Sequence, residues 1–216
     1  MAALGDFDRY VLPFVNGAPA PAIEDAIRDA CIEFCTRAGV LRATLDPITL
    51  TPAVPEIELD APEADTQIVE VTAAWLPEGP VDPLTRPELD ALYPLGWASA
   101  SVGATREVRG FYSRRPGLLS LVPALNAKAP RALRLEVTYA PTRDAQEVPD
   151  LLYQRYAETI AAGALARLHQ HPGAEYADVS RVSAYSARFN DDINRMADDA
   201  PRGFGRKQLR TAPEII

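Results

Sequence analysis

The chain has 216 residues, of which 47% are hydrophobic and 24% are charged, a composition that disfavours a disordered or coiled-coil protein. No apolar run approaches the roughly 18 residues that cross a membrane, and two cysteines are too few for a disulfide scaffold. The net charge of −8 disfavours a protein that binds nucleic acid over its whole surface. The first ten residues lack the pattern of a secretory signal, so an intracellular protein is expected.

The N-terminal part predicts one helix after an extended segment. Residues 1–21 end in alternating alanine and proline, which favours an extended chain. From Ala22 onward hydrophobic residues recur every three or four positions, which predicts an amphipathic helix that ends at Gly39. Glu24 and Asp25 are expected in its first turn, where carboxylates interact favourably with the helix dipole. The predicted stripe consists of Ile23, Ile27, Ala30, Phe34 and Ala38.

The middle of the chain predicts strands. Most of the 20 prolines lie between Pro47 and Pro149, so this region cannot be mainly helical. Alternating patterns predict strands over 42–54, 55–60, 66–75, 106–112, 117–122 and 132–139, with a turn over 76–83 and a short helix over 87–93. In the third of these strands, Ile68, Glu70, Thr72 and Ala74 are expected on one face and Val69, Val71 and Ala73 on the other. In the last strand, Leu133, Leu135, Val137 and Tyr139 share a face.

The last third predicts two long helices. The first begins at Pro149 and Asp150 and ends before His171, Pro172 and Gly173, which together stop a helix. The second runs from about Glu175 to Ala200. The Pro-Gly break between them implies an antiparallel hairpin, whose stripes would pack against the first helix. The predicted fold class is α+β: a small helical bundle over 1–42 and 148–200, a β-rich insertion over 43–147, and an extended C-terminal arm over 201–216.

Few residues suggest chemistry. Cys31 and Cys35 are four residues apart, the wrong spacing for a redox pair, and are interpreted as buried thiols. His169 and His171 could contribute to a metal site, but there is no HExxH and no third histidine. Neither a phosphate-binding glycine loop nor a nucleophile elbow occurs. We therefore predict no catalytic residue, no cofactor and no metal.

Charge is distributed unevenly along the chain. Residues 1–100 contain 17 acids and 5 bases, whereas residues 101–216 contain 13 acids and 17 bases. Such halves could present different faces to different partners, or could simply attract each other. Arg181, Arg188, Arg195 and Arg202 recur every seven residues. They could form a basic stripe, or they could make ion pairs within the helix, for which Arg188–Asp192, Asp191–Arg195 and Arg195–Asp199 have suitable spacing.

The C-terminal segment is basic and has few apolar residues. Beyond Ala200 it carries Arg202, Arg206, Lys207 and Arg210 against one acid, Glu214. It cannot bury much of its own surface, so a partner is expected to hold it.

The order of these parts resembles the head-to-tail adaptor, or connector, proteins of tailed bacteriophages. A short helix with EFCTRAG (33–39) is followed by PLTRPELDALYPLGW (83–97) and by LRLEVTYAPTRDAQEVPDLL (133–152). Tyr156 and TIAAGALARLHQHPGAEYAD (159–178) then lead into AYSARFNDDINRMADDA (184–200). The resemblance covers about residues 20–200, and 149–200 is its most specific stretch.

The resemblance implies a structural, non-enzymatic virion protein that is assembled in the host cytoplasm. Copies would form a ring, commonly of twelve, beneath the portal protein and above a downstream tail, nozzle or stopper protein. Double-stranded DNA would pass through the central channel during genome ejection, without specific binding, and no membrane would be involved. The arm would dock on the portal through Phe204, Arg206, Lys207, Leu209, Arg210, Ile215 and Ile216.

Three alternatives remain open. The chain could be another ring-forming tail component, such as a tail completion or terminator protein. It could be a metal-assisted hydrolase that uses His169, His171 and nearby carboxylates. It could also be a bacterial binding module with a similar fold.

Overall fold

The computed structural model describes residues 1–51, 56–93, 108–123 and 129–199, without the side chains of 129–132. The helices are α1 (Asp8–Val11), α2 (Ala20–Ala38), α3 (Arg86–Leu92), α4 (Asp150–His169) and α5 (Val179–Asp199). The strands are β1 (Ala2–Ala3), β2 (Arg42–Thr44), β3 (Ile48–Leu50), β4 (Ile57–Glu58), β5 (Thr66–Leu76), β6 (Gly79–Val81), β7 (Gly110–Arg115), β8 (Leu118–Val122), β9 (Ala129–Pro141) and β10 (Glu147–Val148). The fold class is mixed α and β, as predicted.

The N-terminal segment is folded, so the prediction of an extended lead-in is wrong. β1 pairs with β10, and two 3-10 turns, Leu4–Phe7 and Leu12–Phe14, flank α1. Leu4, Phe7, Val11 and Val15 are buried against the helices. The hydrophobic contacts of these four side chains stabilise short turns that have little intrinsic stability of their own.

Helix α2 begins two residues earlier than predicted and ends where predicted. Because it begins at Ala20, Glu24 and Asp25 lie beyond its first turn. Gly39 follows α2 with φ of 58°, a left-handed conformation that glycine adopts without steric cost, and its N–H donates to the Cys35 carbonyl. The predicted stripe of α2 is buried.

Helices α4 and α5 occupy the two helical segments predicted near the C-terminus. α4 begins at Asp150, as predicted. α5 begins at Val179 instead of about Glu175, because the Asp178 carboxylate accepts a hydrogen bond from the Ser180 N–H at 3.1 Å and caps the helix. The predicted end of this helix at Ala200 lies outside the described residues.

Apart from the β1–β10 pair, the described strands form two sheets with a shared hydrophobic core. β2 and β3 pair with one edge of β9, β5 pairs with its other edge, and β6 pairs with β5. The second sheet has the order β4-β8-β7. Residues from both sheets form one cluster, which we call the sheet cluster: Leu50, Ile68, Val71, Ala74, Val81, Phe111, Leu119, Leu121, Leu133, Leu135 and Val137.

Two strand predictions need correction. In β5 the pairing with β9 shifts at two bulges, so the buried residues Ile68, Val71 and Ala74 are three apart and strict alternation fails. The segment 76–83 is more than a turn, since its middle forms β6 and pairs with the end of β5. Leu133, Leu135, Val137 and Tyr139 of β9 are all buried, as predicted, but the alternation ends at Val137, since Thr138 on the other face is buried too.

A second hydrophobic cluster, which we call the bundle cluster, contains residues of the N-terminal segment, α2, α4 and α5. Tyr139 and Ala140, at the end of β9, also belong to it. Burial, and a hydrogen bond that the Tyr139 hydroxyl donates to Glu63, raise the pKa of that tyrosine. Among the described residues, no helix has the length and apolarity that a membrane span requires.

Candidate interaction surfaces

The helices define two ends of the bundle. His169, at the end of α4, stacks on Tyr185, near the start of α5, with ring centroids 5.6 Å apart. The Thr159 hydroxyl donates to Asp192, further along both helices, at 2.8 Å. α4 and α5 are therefore antiparallel. We call the end of α5, beside the start of α4, the arm end, and the connection between α4 and α5 the loop end.

The predicted arm follows Asp199 in the chain and therefore continues from the arm end. Its predicted docking residues lie outside the described residues: Phe204, Arg206, Lys207, Leu209, Arg210, Ile215 and Ile216. In the sequence, residues 201–216 contain four basic residues and one acid.

The loop end carries exposed hydrophobic residues that the sequence analysis did not identify. Leu12 and Phe14 are 46% and 49% exposed, although both lie next to buried residues. A Cβ at Gly17 would lie 3.7 Å from Glu175 Oε2, which places this turn beside the α4–α5 connection. Val179, which follows that connection, is 80% exposed. The signal was present in the sequence as an uncharged stretch from Tyr10 to Ile23.

The two histidines lie at the loop end in different environments. His169 is buried, and its Nδ1 is 2.8 Å from the Tyr176 carbonyl, whereas Nε2 is buried without a hydrogen-bond partner among the described residues. His171 is exposed. A hydrogen bond from the Ser180 hydroxyl is the main cause that lowers the pKa of nearby Asp178. In the described part of the chain, no group of three or more His, Cys, Asp or Glu side chains could hold a metal ion.

Cys31 and Cys35 are buried free thiols in α2. Burial raises the pKa of both thiols, which keeps them protonated and unreactive. Their interpretation as packing residues agrees with this environment.

A charged network joins the three long helices on the surface above these thiols. The Arg167 guanidinium donates to Glu33 and to the Gly163 carbonyl, and lies 5.6 Å from the Phe189 ring centroid. Arg37 donates to the same glutamate at 2.6 Å. Arg167, Glu33 and Arg37 line a shallow depression together with Asp29, Ile32, Thr36 and Arg143. Because its cations are engaged by neighbouring carboxylates or carbonyls, we interpret the network as structural.

The arginines of α5 form ion pairs, mostly with partners other than those predicted. Arg181 pairs with Asp178 at 2.9 Å, and Arg195 pairs with Asp192 at 2.6 Å. Arg188 pairs with Glu158 of α4 at 2.8 Å. Arg202 lies outside the described residues. The basic stripe is therefore largely neutralised by neighbouring carboxylates.

The acidity of the chain is concentrated in one part of the β region. Residues 56–93 contain ten acidic residues and one basic residue, Arg86. The charge totals of the two halves of the chain do not show this concentration. By contrast, β7 and the residues beside it expose Arg109, Arg114 and Arg115.

A comparison with protein families shows the family to which the chain belongs. The family model described as SU10 adaptor protein matches residues 3–211. The chain belongs to the SU10 adaptor protein family. The match spans the helices and the β region alike, and it confirms the resemblance to phage head-to-tail adaptors. No curated protein matches the chain in sequence.

An adaptor acts through contacts with other proteins, so the candidate functional sites of this chain are surfaces and not pockets. The loop end, the arm end and the charged faces of the β region are the surfaces that these residues offer.

Proposed function

We propose that this adaptor is a structural component of the virion that links the portal ring to the tail. Twelve copies would form a ring whose central channel passes the double-stranded genome. The proposal further divides the chain into a helical bundle over 1–42 and 148–200, a β-rich insertion over 43–147, and an arm over 201–216. The two hydrophobic clusters support this division, because one is formed mainly by helices and the other by strands.

The observation that carries the proposal is that the two ends of the bundle present different surfaces. The arm follows α5 at one end, and the turn that carries the exposed Leu12 and Phe14 leads to Gly17, beside the other end. A subunit that joins two different partners needs two different surfaces on opposite sides. The antiparallel pairing of α4 and α5 provides this arrangement with a single helical hairpin.

The arm is suited to reach a partner beyond the bundle. If extended, residues 200–216 would span at most about 55 Å, whereas the 21 residues of α5 span about 30 Å. Phe204, Leu209, Ile215 and Ile216 would provide apolar contacts, and Arg206, Lys207 and Arg210 would provide charge. The same weak contacts repeated around a ring would give high overall affinity.

Deleting residues 203–216 tests the role of the arm. We expect the truncated protein to keep its circular dichroism spectrum and unfolding midpoint, because the described helices and strands end before residue 200. We also expect it to lose binding to purified portal rings, as measured by sedimentation and electron microscopy. The full-length protein should add a ring of twelve copies to the same portals.

The control is the double variant Leu12→Ser and Phe14→Ser at the loop end. It should bind portal rings as the unmodified protein does, and it should lose attachment of the downstream tail protein. Undiminished portal binding by the truncated protein would show that the arm is not the portal contact. Loss of portal binding by the loop-end variant would show that the ends are assigned in reverse.

A further inference from the structure

One edge of the three-stranded sheet carries three acidic residues. Its strand order is β4-β8-β7, so β4 and β7 are its two edges. Glu56, Glu58 and Asp60 lie on or beside β4, and all three are exposed. Of these, only Glu56 has a described ion-pair partner, Arg114, at the limiting distance of 4.0 Å. We call this set the acidic edge.

The opposite edge is basic. Arg109, Arg114 and Arg115 lie on or beside β7, and all three are exposed. A crossing segment covers the middle of this edge: the Phe111 N–H donates to the Asp82 carbonyl, and Leu84 donates back to Phe111. Asp82 is therefore an acid near this edge, but the three arginines outnumber it. We call the arginines the basic edge.

The two edges lie on either side of β8, and Glu56 and Arg114 approach each other across the sheet to 4.0 Å. Neighbouring strands of a sheet are about 4.8 Å apart, so the two edges of a three-stranded sheet are separated by roughly 10 Å. Contact between two acidic edges, or between two basic edges, would bring like charges together. Contact between unlike edges would bring opposite charges together. The charge pattern therefore disfavours a twofold dimer through either edge and favours head-to-tail association of identical copies.

We propose that the acidic edge of one copy contacts the basic edge of the next copy, so that three-stranded sheets lie side by side around the assembly. This inference rests on the proposed ring and identifies a surface by which its neighbouring subunits would meet. Charged edge strands also prevent indiscriminate pairing of free sheets, which suits a protein that must associate in one orientation only.

Charge reversal on each edge tests the contact in the full-length protein. The acidic-edge variant carries Glu58→Lys and Asp60→Lys, and the basic-edge variant carries Arg109→Glu and Arg115→Glu. Sedimentation velocity at tens to hundreds of micromolar should show self-association of the unmodified protein that weakens with added salt. Each variant alone should associate at least tenfold more weakly, because its two edges then have the same sign.

An equimolar mixture of the two variants should restore association, since each edge again meets an edge of opposite charge. This rescue also shows that both variants are folded. The control variant, Asp191→Lys and Asp198→Lys, changes the same net charge on the exposed side of α5. It should associate as the unmodified protein does.

Three results would overturn the inference: unchanged association of either edge variant, failure of the mixture to associate, or absence of self-association in the unmodified protein. If the basic-edge variant associates normally but loses retention of a short DNA duplex, the arginines contact DNA instead. The proposed function is judged separately by ring formation on portals. Rings that form on portals from both edge variants alike would leave the function intact and overturn the edge contact.

Discussion

At the scale of single residues, Gly163 shows how one missing side chain positions a helix. Glycine in a helix interior costs about 1 kcal/mol relative to alanine, yet it lies in the middle of α4. A Cβ at this position would lie 2.8 Å from the Phe189 ring. Phe189 is buried, and Arg167 lies over its ring. The absence of a Cβ therefore allows α5 to pack closely on α4.

Gly163→Ala should destabilise the protein, although alanine is the better helix former. The added methyl group would force apart Phe189 and α4, a steric cost of about 1–3 kcal/mol. Urea unfolding followed by circular dichroism measures this loss in the free energy of unfolding. Gly5→Ala is the matched control, because no atom of the described residues lies within 4 Å of a Cβ there, and it should change stability little. A Gly163→Ala protein as stable as the unmodified one would show that this contact relaxes without cost.

At the scale of elements, the sequence predicted the long helices better than the short segments. α2 and α4 were predictable because their hydrophobic residues repeat over four or five turns. The N-terminal segment was missed although Leu4, Phe7, Val11 and Val15 also have helical spacing. Pro13 and the Asn16-Gly17 pair break this pattern into turns that are folded only because tertiary contacts hold them.

The bulges of β5 were not predictable for a related reason. A bulge changes which residues face the core by shifting the pairing with β9, and the paired residues are 59 or more positions apart in the sequence. The local alternation in 66–75 therefore predicts the strand correctly, but it does not predict which residues of that strand are buried. The same limit applies to the candidate surfaces, since the opposite charges of β4 and β7 share a sheet only after the long-range pairing of β4 with β8.

The Arg167–Glu33 contact should stabilise the packing of α2 on α4. A double-mutant cycle with Arg167→Met and Glu33→Gln should give a coupling of about 1 kcal/mol, since both side chains are partly buried. The control cycle uses Arg143→Met and Asp29→Asn, whose side chains are 81% and 50% exposed and 3.5 Å apart. Its coupling should be near zero. Equal coupling energies in the two cycles would show that the Arg167–Glu33 contact stabilises the protein no more than an exposed ion pair does.

At the scale of the whole molecule, β9 connects the two hydrophobic clusters. Its Leu133, Leu135 and Val137 belong to the sheet cluster, whereas Tyr139 and Ala140 belong to the bundle cluster. Leu41, which precedes β2, accepts a hydrogen bond from the Tyr139 N–H at 3.1 Å and ties α2 to the same strand. Because β9 contributes residues to both clusters, unfolding of either cluster would expose part of β9 and destabilise the other cluster.

We expect one cooperative unfolding transition for the bundle and the β region. Circular dichroism at 222 nm reports mainly on the helices, and tryptophan fluorescence reports on the β region, because Trp75 and Trp97 both lie within 43–147. Urea unfolding curves from the two signals should have the same midpoint, the usual test of a two-state transition. Val137→Ala should lower both midpoints equally, by about 1–3 kcal/mol in unfolding free energy. A variant in which only the fluorescence midpoint moves would instead show that the β region unfolds independently, so that β9 does not couple the two clusters.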